Sequence, residues 1–341
     1  MSLSTMMDFC AAASFVERVY EAEPALPLRD EACRSKFFLH NHPTAKVCLF
    51  LHGFTAGPYQ FEPLGRAFFE AGYNVLVPLQ PGHGQAGDWS RQHPPPLPTD
   101  VRIYQQFVLE WIEIAQALGQ QVVVGGLSSG AVLAAWLAIE YAELVDQALL
   151  FAPYLGSRFW IFDWLVKVLP FYFEWFNKDA PGNFGYKGFR IPALRLFLEL
   201  GHHITKKAQS RTAAPLLLAC SDGDRVTNRS KQQRLFKSVL AHQPRAWYYS
   251  FDKALQIRHR MLTRLEGNQH EEQVITLAKA YIDSDLTWMQ LQQIADRMIQ
   301  GEPYDAAVKH LNLESQVSPS LSPLMLESIA IDLFRCISLR N

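Results

Sequence analysis

Six short apolar runs alternate with longer segments of helical character, and this alternation constrains the fold more than any other feature. Several runs are apolar on both faces, as the strands of a buried parallel sheet are. The runs are "VCLFL" (47–51), "NVLVPL" (74–79), "QVVVGGL" (121–127), "QALLFAP" (147–153), "PLLLAC" (215–220) and "RAWYYSF" (245–251). Helices are predicted over 100–118, with Thr99 as N-cap, and over 129–143 and 228–240. The alternation predicts an α/β fold with a mainly parallel central sheet flanked by helices.

Composition narrows the class of protein. Of 341 residues, 49% are apolar and 19% are charged, which is typical of a folded protein with a sizeable core. The 32 Lys and Arg nearly cancel the 33 Asp and Glu, which argues against a nucleic-acid partner. The five cysteines are an odd number without metal-ligand spacing, so we expect a reducing compartment and a cytoplasmic location. Asp8 interrupts the apolar N-terminal stretch, which argues against a secretory signal.

Two regions interrupt the alternation. Residues 155–211 separate two predicted strands by far more than one crossover helix needs, and their first part is "RFWIFDWLVKVLPFYFEWF". Charged residues and Pro170 punctuate this aromatic stretch too closely for a membrane span. The second region is the tail from about residue 285, which predicts two or three helices and then a last amphipathic helix. The apolar face of that helix would carry Leu324, Ile329, Leu333 and Ile337.

The stretch "GLSSG" places a serine at a turn between a predicted strand and a predicted helix. Gly126, Ser128 and Gly130 have the G-x-S-x-G spacing. Such a sharp turn strains the central residue, and its neighbours must lack side chains to avoid clashes. The turn exposes the Ser128 hydroxyl at the carboxyl edge of the sheet, where open α/β folds bind ligands. Ser128 is therefore the predicted nucleophile, and Ser129 begins the helix.

A serine hydroxyl needs a base and an orienting acid, which in this architecture follow in the order Ser, Asp or Glu, His. The loop "SDGDRV" after the fifth run offers two carboxylates, Asp222 and Asp224, and both qualify. The segment "DKALQIRHRMLT" after the sixth run contains a single histidine, His259. We therefore predict His259 as the base, with the choice between the two carboxylates open.

The segment "LFLHGFTAGP" (49–58) predicts a site for an oxyanion. Here a strand leads into a tight loop of small residues, and Gly53 lets the backbone approach the reacting atoms. The N–H groups of Phe54 and Ser129 would converge on one oxygen, as acyl transfer requires. His52 is expected to be a structural residue that forms hydrogen bonds within the loop.

Four segments in order resemble the α/β-hydrolase superfamily, and the similarity is greatest to its carboxylesterase and monoacylglycerol lipase (lysophospholipase-like) branch. They are "FLHGFTAGPYQFEPLGRAFFEAGYNVLVPLQPGHG", "GLSSG", "SDGDRVTN" and "HRMLT", within roughly residues 36–284. The resemblance implies Ser128 as nucleophile and His259 as base. It favours Asp224 as the acid, because an apolar residue and a helix start follow the acid in the family. It also implies Phe54 and Ser129 as the oxyanion donors.

The sequence departs from the family pattern beside the base. Arg258 precedes His259, where the family often has glycine, and Arg260 follows it. We expect these arginines to reshape the loop. The family pattern also leaves the tail after residue 285 unexplained.

The resemblance also implies a domain organisation. It divides the core into residues 36–154 and 212–284, with an inserted helical, aromatic cap at 155–211. The C-terminal helical extension at 285–341 is predicted from the residues of the tail alone. Apolar helices above a serine site predict a pocket for an acyl chain, since each buried CH₂ contributes about 0.8 kcal/mol. The predicted lining residues are Phe159, Trp160, Trp164, Phe171, Trp175 and Phe176.

These features together predict a serine hydrolase that cleaves carboxylic esters of apolar acyl chains. A monoacylglycerol, a lysophospholipid or a medium-chain ester would suit the cap, and no metal or organic cofactor is implied. We also expect a transient contact of the cap with a membrane surface, and a homo-oligomer formed through the extension. Two alternatives stay open: an acyltransferase or thioesterase with the same triad, and a catalytically silent binding protein of this fold.

Overall fold

The computed structural model describes residues 8–176 and 179–326, which contain one large sheet and one small sheet. The strands are β1 (Lys36–Phe38), β2 (Thr44–Leu51), β3 (Asn74–Val77), β4 (Gly119–Leu127), β5 (Gln147–Phe151), β6 (Tyr172–Glu174), β7 (Gly188–Arg190), β8 (Leu216–Ser221) and β9 (Trp247–Phe251). The large sheet has the order β1-β3-β2-β4-β5-β8-β9, and only β1 is antiparallel to its neighbour. The predicted mainly parallel sheet is confirmed.

All six predicted strands are present, because their continuous apolar runs can only be buried between two layers of helices. Strands β3, β5, β8 and β9 are buried at every residue. Strand β1 was not predicted from the sequence, because it has three half-buried residues at the sheet edge and little periodicity. Parallel pairing brings the carboxyl ends of β2, β4, β8 and β9 to one edge of the sheet.

Helices cover both faces of the large sheet. They are α1 (Phe9–Ala22), α2 (Glu62–Glu70), α3 (Val101–Leu118), α4 (Ser129–Glu140), α5 (Trp160–Val168), α6 (Ile191–Lys207), α7 (Arg229–Leu240), α8 (Glu271–Ile282), α9 (Trp288–Ile299), α10 (Tyr304–His310) and α11 (Leu321–Leu326). Helix α4 is buried from Ser129 to Ile139, so the helix that follows Ser128 is held on all sides. The N-cap of α3 is Asp100, which accepts from the Arg102 N–H; the prediction of Thr99 was wrong by one residue.

The inserted cap contains strands as well as helices. Helices α5 and α6 flank the antiparallel pair β6–β7, in which Phe173 lies opposite Phe189. The predicted helices of the cap are present, and the strand pair was not predicted, because aromatic residues at this spacing also favour a pleated strand. Helix α5 has nine residues, and none of the helices within 8–176 and 179–326 has the length and hydropathy to cross a bilayer.

The described part of the C-terminal extension packs on the chain's own core. The Trp288 ring contacts the Phe236 ring at 5.2 Å between centroids. The Trp247 indole N–H donates to the Leu286 carbonyl at 2.9 Å. Leu324, on the predicted apolar face of the last helix, is buried in α11. The other positions of that face lie outside the described residues.

Candidate active site

The candidate nucleophile Ser128 occupies the turn between β4 and α4. Its backbone has φ 58° and ψ −111°, a region that residues with a side chain rarely adopt. Two tertiary hydrogen bonds hold this strained turn: the Ser128 N–H donates to the Phe151 carbonyl at 2.9 Å, and the Ser128 carbonyl accepts from the Tyr154 N–H at 3.2 Å. The turn therefore has the geometry that the glycine-flanked motif predicts.

The two motif glycines permit contacts that a side chain would block. A Cβ on Gly126 would lie 2.2 Å from the Gly130 carbonyl carbon, and a Cβ on Gly130 would lie 2.0 Å from the Leu51 carbonyl oxygen. The end of β2 is thus pressed against the turn that carries Ser128. Because the loop after β2 begins at this contact, the predicted oxyanion donors Phe54 and Ser129 belong to two loops that touch.

The acid and base candidates are joined by a hydrogen bond. His259 Nδ1 lies 2.9 Å from Asp224 Oδ2, and the Asp224 side chain is 4% exposed. Asp224 also accepts from the Thr227 hydroxyl and the Val226 N–H, each at 2.6 Å. Burial alone would raise the pKa of Asp224, but the attraction of His259 and these hydrogen bonds lower it to about 2. A carboxylate that stays ionised orients the ring so that Nδ1 carries the proton and Nε2 is free to accept one.

The second carboxylate of the loop has other partners. Asp222 accepts from the Ser250 hydroxyl at 2.5 Å and forms an ion pair with Arg229 at 2.6 Å. These contacts hold its side chain on the β9 and α7 side of the loop. Of the two candidates that the residues alone left open, the structure brings Asp224 to the histidine.

The loop after β2 is held by side chains around the Gly53 peptide. His52 is fully buried; its Nδ1 bonds the Gly53 carbonyl at 3.0 Å, and its Nε2 accepts from the Gln80 N–H at 3.1 Å. Burial lowers the pKa of His52 well below its usual value. With both ring nitrogens engaged in a neutral ring, His52 has the structural role expected for it. The preceding peptide bond is held as well, because the Gly53 N–H donates to Gln60 Oε1 at 2.8 Å.

The cap rests directly on this loop. The Trp175 indole N–H donates to the Thr55 hydroxyl, and the Tyr186 N–H donates to the Thr55 carbonyl, both at 2.8 Å. The Phe54 ring meets the cap residues Phe189 and Phe197 edge-on, with centroids 4.9 and 5.7 Å away. The apolar wall beside the predicted oxyanion donor is therefore built from Phe189 and Phe197, which the sequence analysis did not select.

The structure separates the six cap aromatics into two groups. Trp175 and Phe171 are partly buried against the core. The remaining four are exposed by between 56% and 97%: Phe159, Trp160, Trp164 and Phe176. These four form the outer surface of the cap, so they do not line an enclosed pocket together with Ser128 in this conformation.

Two buried polar residues next to the site were missed at the sequence level. Gln60 is 3% exposed and Glu266 is 8% exposed, and the Gln60 amide donates to both oxygens of the Glu266 carboxylate. They are 206 positions apart in the chain. No local pattern marks either residue, so only the fold could identify the pair.

Comparisons with known proteins agree with this architecture. A family model described as the alpha/beta hydrolase fold matches residues 46–233, more than half of the chain. The protein belongs to the α/β-hydrolase family. A thermostable monoacylglycerol lipase from Bacillus sp. (strain H-257) is 31% identical to this hydrolase over 219 residues, which cover 60% of this chain and 79% of the relative.

Solved structures share the fold of this α/β hydrolase at low identity. The monoacylglycerol lipase of Paleococcus ferrophilus has a TM-score of 0.56 and 16% identity, and the alignment covers 72% of this chain and 95% of that one. The Saccharomyces cerevisiae monoglyceride lipase has a TM-score of 0.53 and 14% identity, with 72% and 89% covered. A structure from the work on the metagenome-derived lipolytic enzymes LipS and LipT has a TM-score of 0.59 and 15% identity, with 73% and 96% covered.

Proposed function

We propose that the protein is a serine hydrolase that cleaves carboxylic esters of apolar acyl chains through an acyl-enzyme on Ser128. The observation that carries the proposal is the 2.9 Å bond between His259 and Asp224 at the sheet edge where the strained Ser128 turn also lies. The kinship with a monoacylglycerol lipase supports the same chemistry.

The proposed reaction has two steps. In the first, His259 Nε2 takes the Ser128 proton while Oγ attacks the ester carbonyl carbon. The negative charge that develops on the carbonyl oxygen is stabilised by the N–H groups of Phe54 and Ser129. His259 then gives the proton to the departing alcohol, which leaves an acyl group on Ser128. In the second step, water attacks the acyl carbon and gives its proton to His259. The bond between the acyl group and Ser128 Oγ then breaks, the carboxylic acid leaves, and His259 returns the proton to Oγ.

The substrate class is inferred from the cap. Phe54, Phe189 and Phe197 make the contact between the cap and the loop after β2 apolar, and an acyl chain buried in such surroundings would gain about 0.8 kcal/mol per CH₂. A monoacylglycerol, a lysophospholipid or a medium-chain ester carries such a chain. A soluble short ester lacks one. The experiment is a hydrolysis panel of p-nitrophenyl esters from C2 to C16, beside monoacylglycerols and lysophospholipids, with Ser128→Ala as the inactive reference.

The outer surface of the cap supports a contact with lipid surfaces. Trp160 and Trp164 lie on α5 and are exposed by 75% and 56%. A short helix with such residues can rest on a membrane interface without spanning the bilayer. The cap would then bring the site to the lipid phase in which an apolar substrate is dissolved.

The paired variant Trp160→Ala/Trp164→Ala tests this contact. We expect about 10²- to 10⁴-fold weaker binding to phosphatidylcholine vesicles, since burying each of the two side chains contributes about 1.5–3 kcal/mol. The rate on a soluble C4 ester should hardly change. Co-sedimentation with vesicles measures the binding, and Tyr20→Ala, which removes an aromatic exposed by 52% on α1, is the control. Equal losses of hydrolysis rate on soluble and vesicular substrates would instead show that the two tryptophans stabilise the fold and do not bind the membrane.

A further inference from the structure

Glu266 is a buried carboxylate for which the proposed reaction has no direct use. Its side chain is 1% exposed, and it lies in the loop between β9 and α8, seven residues after His259. Burying a carboxylate costs free energy unless hydrogen bonds and a nearby cation compensate for the lost water. The hydrogen bonds and the ion pair of Glu266 therefore indicate its role.

The first group of partners belongs to the oxyanion loop. The Gln60 amide nitrogen lies 3.1 Å from Glu266 Oε1 and 3.0 Å from Oε2. The Tyr59 hydroxyl donates to Oε1 at 3.4 Å. A carboxylate only accepts hydrogen bonds, so it forces the Gln60 NH₂ group to face it. The Gln60 carbonyl oxygen must then face the opposite way, where it accepts from the Gly53 N–H at 2.8 Å.

The second partner belongs to the loop of the base. The Arg260 guanidinium lies 3.6 Å from Glu266 Oε1, and its side chain is 23% exposed. Arg260 directly follows His259, so the carboxylate connects the base loop to the oxyanion loop. Arg260, which departs from the family pattern beside the base, thus has Glu266 as its partner.

The charged and titratable groups around Glu266 act in opposite directions. Burial raises the pKa of Glu266 to about 7, while Arg260, the hydrogen bonds from Gln60 and Tyr59, and the nearby His259 oppose that rise. A neutral carboxylic acid would carry a proton of its own and would no longer require the NH₂ group of Gln60 on both oxygens. The ionised form is the one that determines the orientation of the amide.

We propose that Glu266 is a positioning residue of the ester-hydrolysing site. It holds the Gln60 amide in the one orientation that fixes the Gly53 N–H. The Gly53 N–H lies in the peptide bond just before the one that carries the Phe54 N–H, and the carbonyl of that second peptide bonds His52 Nδ1 at 3.0 Å. Holding both peptides restricts rotation about Gly53, and this restriction keeps the Phe54 N–H directed toward the oxyanion. The inference rests on the function proposed above and adds a residue to that site which touches neither substrate nor reacting atoms.

The test compares two variants of the full chain and their combination. Glu266→Gln keeps the volume and removes the charge, and Gln60→Met keeps the length and removes the hydrogen bonds to the Gly53 N–H and to the Glu266 carboxylate. We expect each to lower kcat for p-nitrophenyl butyrate by about 10- to 100-fold, less than the roughly 10²–10³-fold loss of a whole oxyanion donor. KM should stay within about twofold, because the ground-state ester does not use the oxyanion donors. Glu302→Gln, which removes an ion-paired carboxylate in the C-terminal extension, should leave both constants unchanged.

The double variant separates positioning from general damage. If Glu266 acts through Gln60, the double variant should be no slower than the slower single variant, because the second change removes an interaction already lost. Losses that multiply, or a kcat of Glu266→Gln equal to that of the wild type, would overturn the proposal. A thermal scan shows whether Glu266→Gln folds. If it does not, Gln60→Met tests the proposal instead: a lower kcat at unchanged KM supports it, and an unchanged kcat overturns it. A wild-type protein without turnover overturns the proposed function as well, whereas turnover unaffected by these variants overturns only the role of Glu266.

Discussion

Asparagine in place of the candidate acid Asp224 replaces one carboxylate oxygen by an NH₂ group beside the base His259 and should nearly abolish turnover. In the structure, Asp224 Oδ1 accepts from the Val226 N–H at 2.6 Å, while Oδ2 faces His259 Nδ1. The amide oxygen of the asparagine would keep the Val226 bond, since only oxygen can accept it. The NH₂ group would then face His259. A ring that accepts at Nδ1 carries its proton on Nε2, and that tautomer cannot take a proton from Ser128.

The loss of the Asp224 charge and the change of the His259 tautomer both lower the rate, and their magnitudes can be compared. The pKa of Asp224 falls from 3.8 to about 2, so its surroundings favour the charged carboxylate by about 2 kcal/mol. That preference alone corresponds to a factor of about 30 in rate. The same substitution lowers kcat by about 10⁴ in a well-studied serine-protease triad, which corresponds to about 5.5 kcal/mol. The wrong tautomer must therefore supply most of the loss, and we expect a fall of about 10³–10⁴ here.

Asp222→Asn is the matched control in the same loop. It weakens a partly exposed ion pair with Arg229, so kcat should change by less than about tenfold. Initial rates with p-nitrophenyl butyrate measure both variants, and thermal melts check that both are folded. The tautomer argument would be refuted if folded Asp224→Asn kept more than a tenth of the wild-type kcat, or if Asp222→Asn had the larger loss.

Three further predictions follow from the structure. Ser128→Ala should abolish labelling by a fluorophosphonate probe and Ser129→Ala should keep it, because the buried Ser129 hydroxyl has no hydrogen-bond partner among the described residues; an adduct mapped by mass spectrometry to Ser129 would contradict this. The raised pKa of Glu266 stabilises the fold below pH 4.5, and about 3 kcal/mol of that contribution should be lost as the pH rises to about 7. Urea denaturation across this range should show a flatter decline for Glu266→Gln. Truncation at residue 285 should lower the melting temperature, because it uncovers Trp247 and the core beneath α9. An unchanged melting temperature would count against this packing, and an unchanged elution volume in size-exclusion chromatography would count against an oligomer contact through the extension.

The sequence alone determined the features that depend on local physics. Each buried strand of the large parallel sheet is a short apolar run, and such a run can be recognised without knowledge of its neighbours. The need for glycine at position 126 follows from sterics within five residues of chain, because a Cβ there would meet the Gly130 backbone. The candidate serine, acid and histidine each follow a predicted parallel strand. Because parallel strands end at the same edge of a sheet, the sequence predicted that the three loops lie at one edge.

Tertiary structure decided what depends on partners far apart in the chain. Asp222 and Asp224 differ by two positions, and the residues alone left both open. The family resemblance favoured Asp224, and in the structure Asp222 contacts Arg229 while Asp224 contacts His259. The cap aromatics look alike in sequence, yet Trp175 donates to Thr55 in the loop after β2, while Phe176 is 97% exposed. Glu266 is one of many acidic residues until the fold brings it to Gln60. Long-range contacts of this kind follow from how helices and strands pack, and no local pattern records that packing.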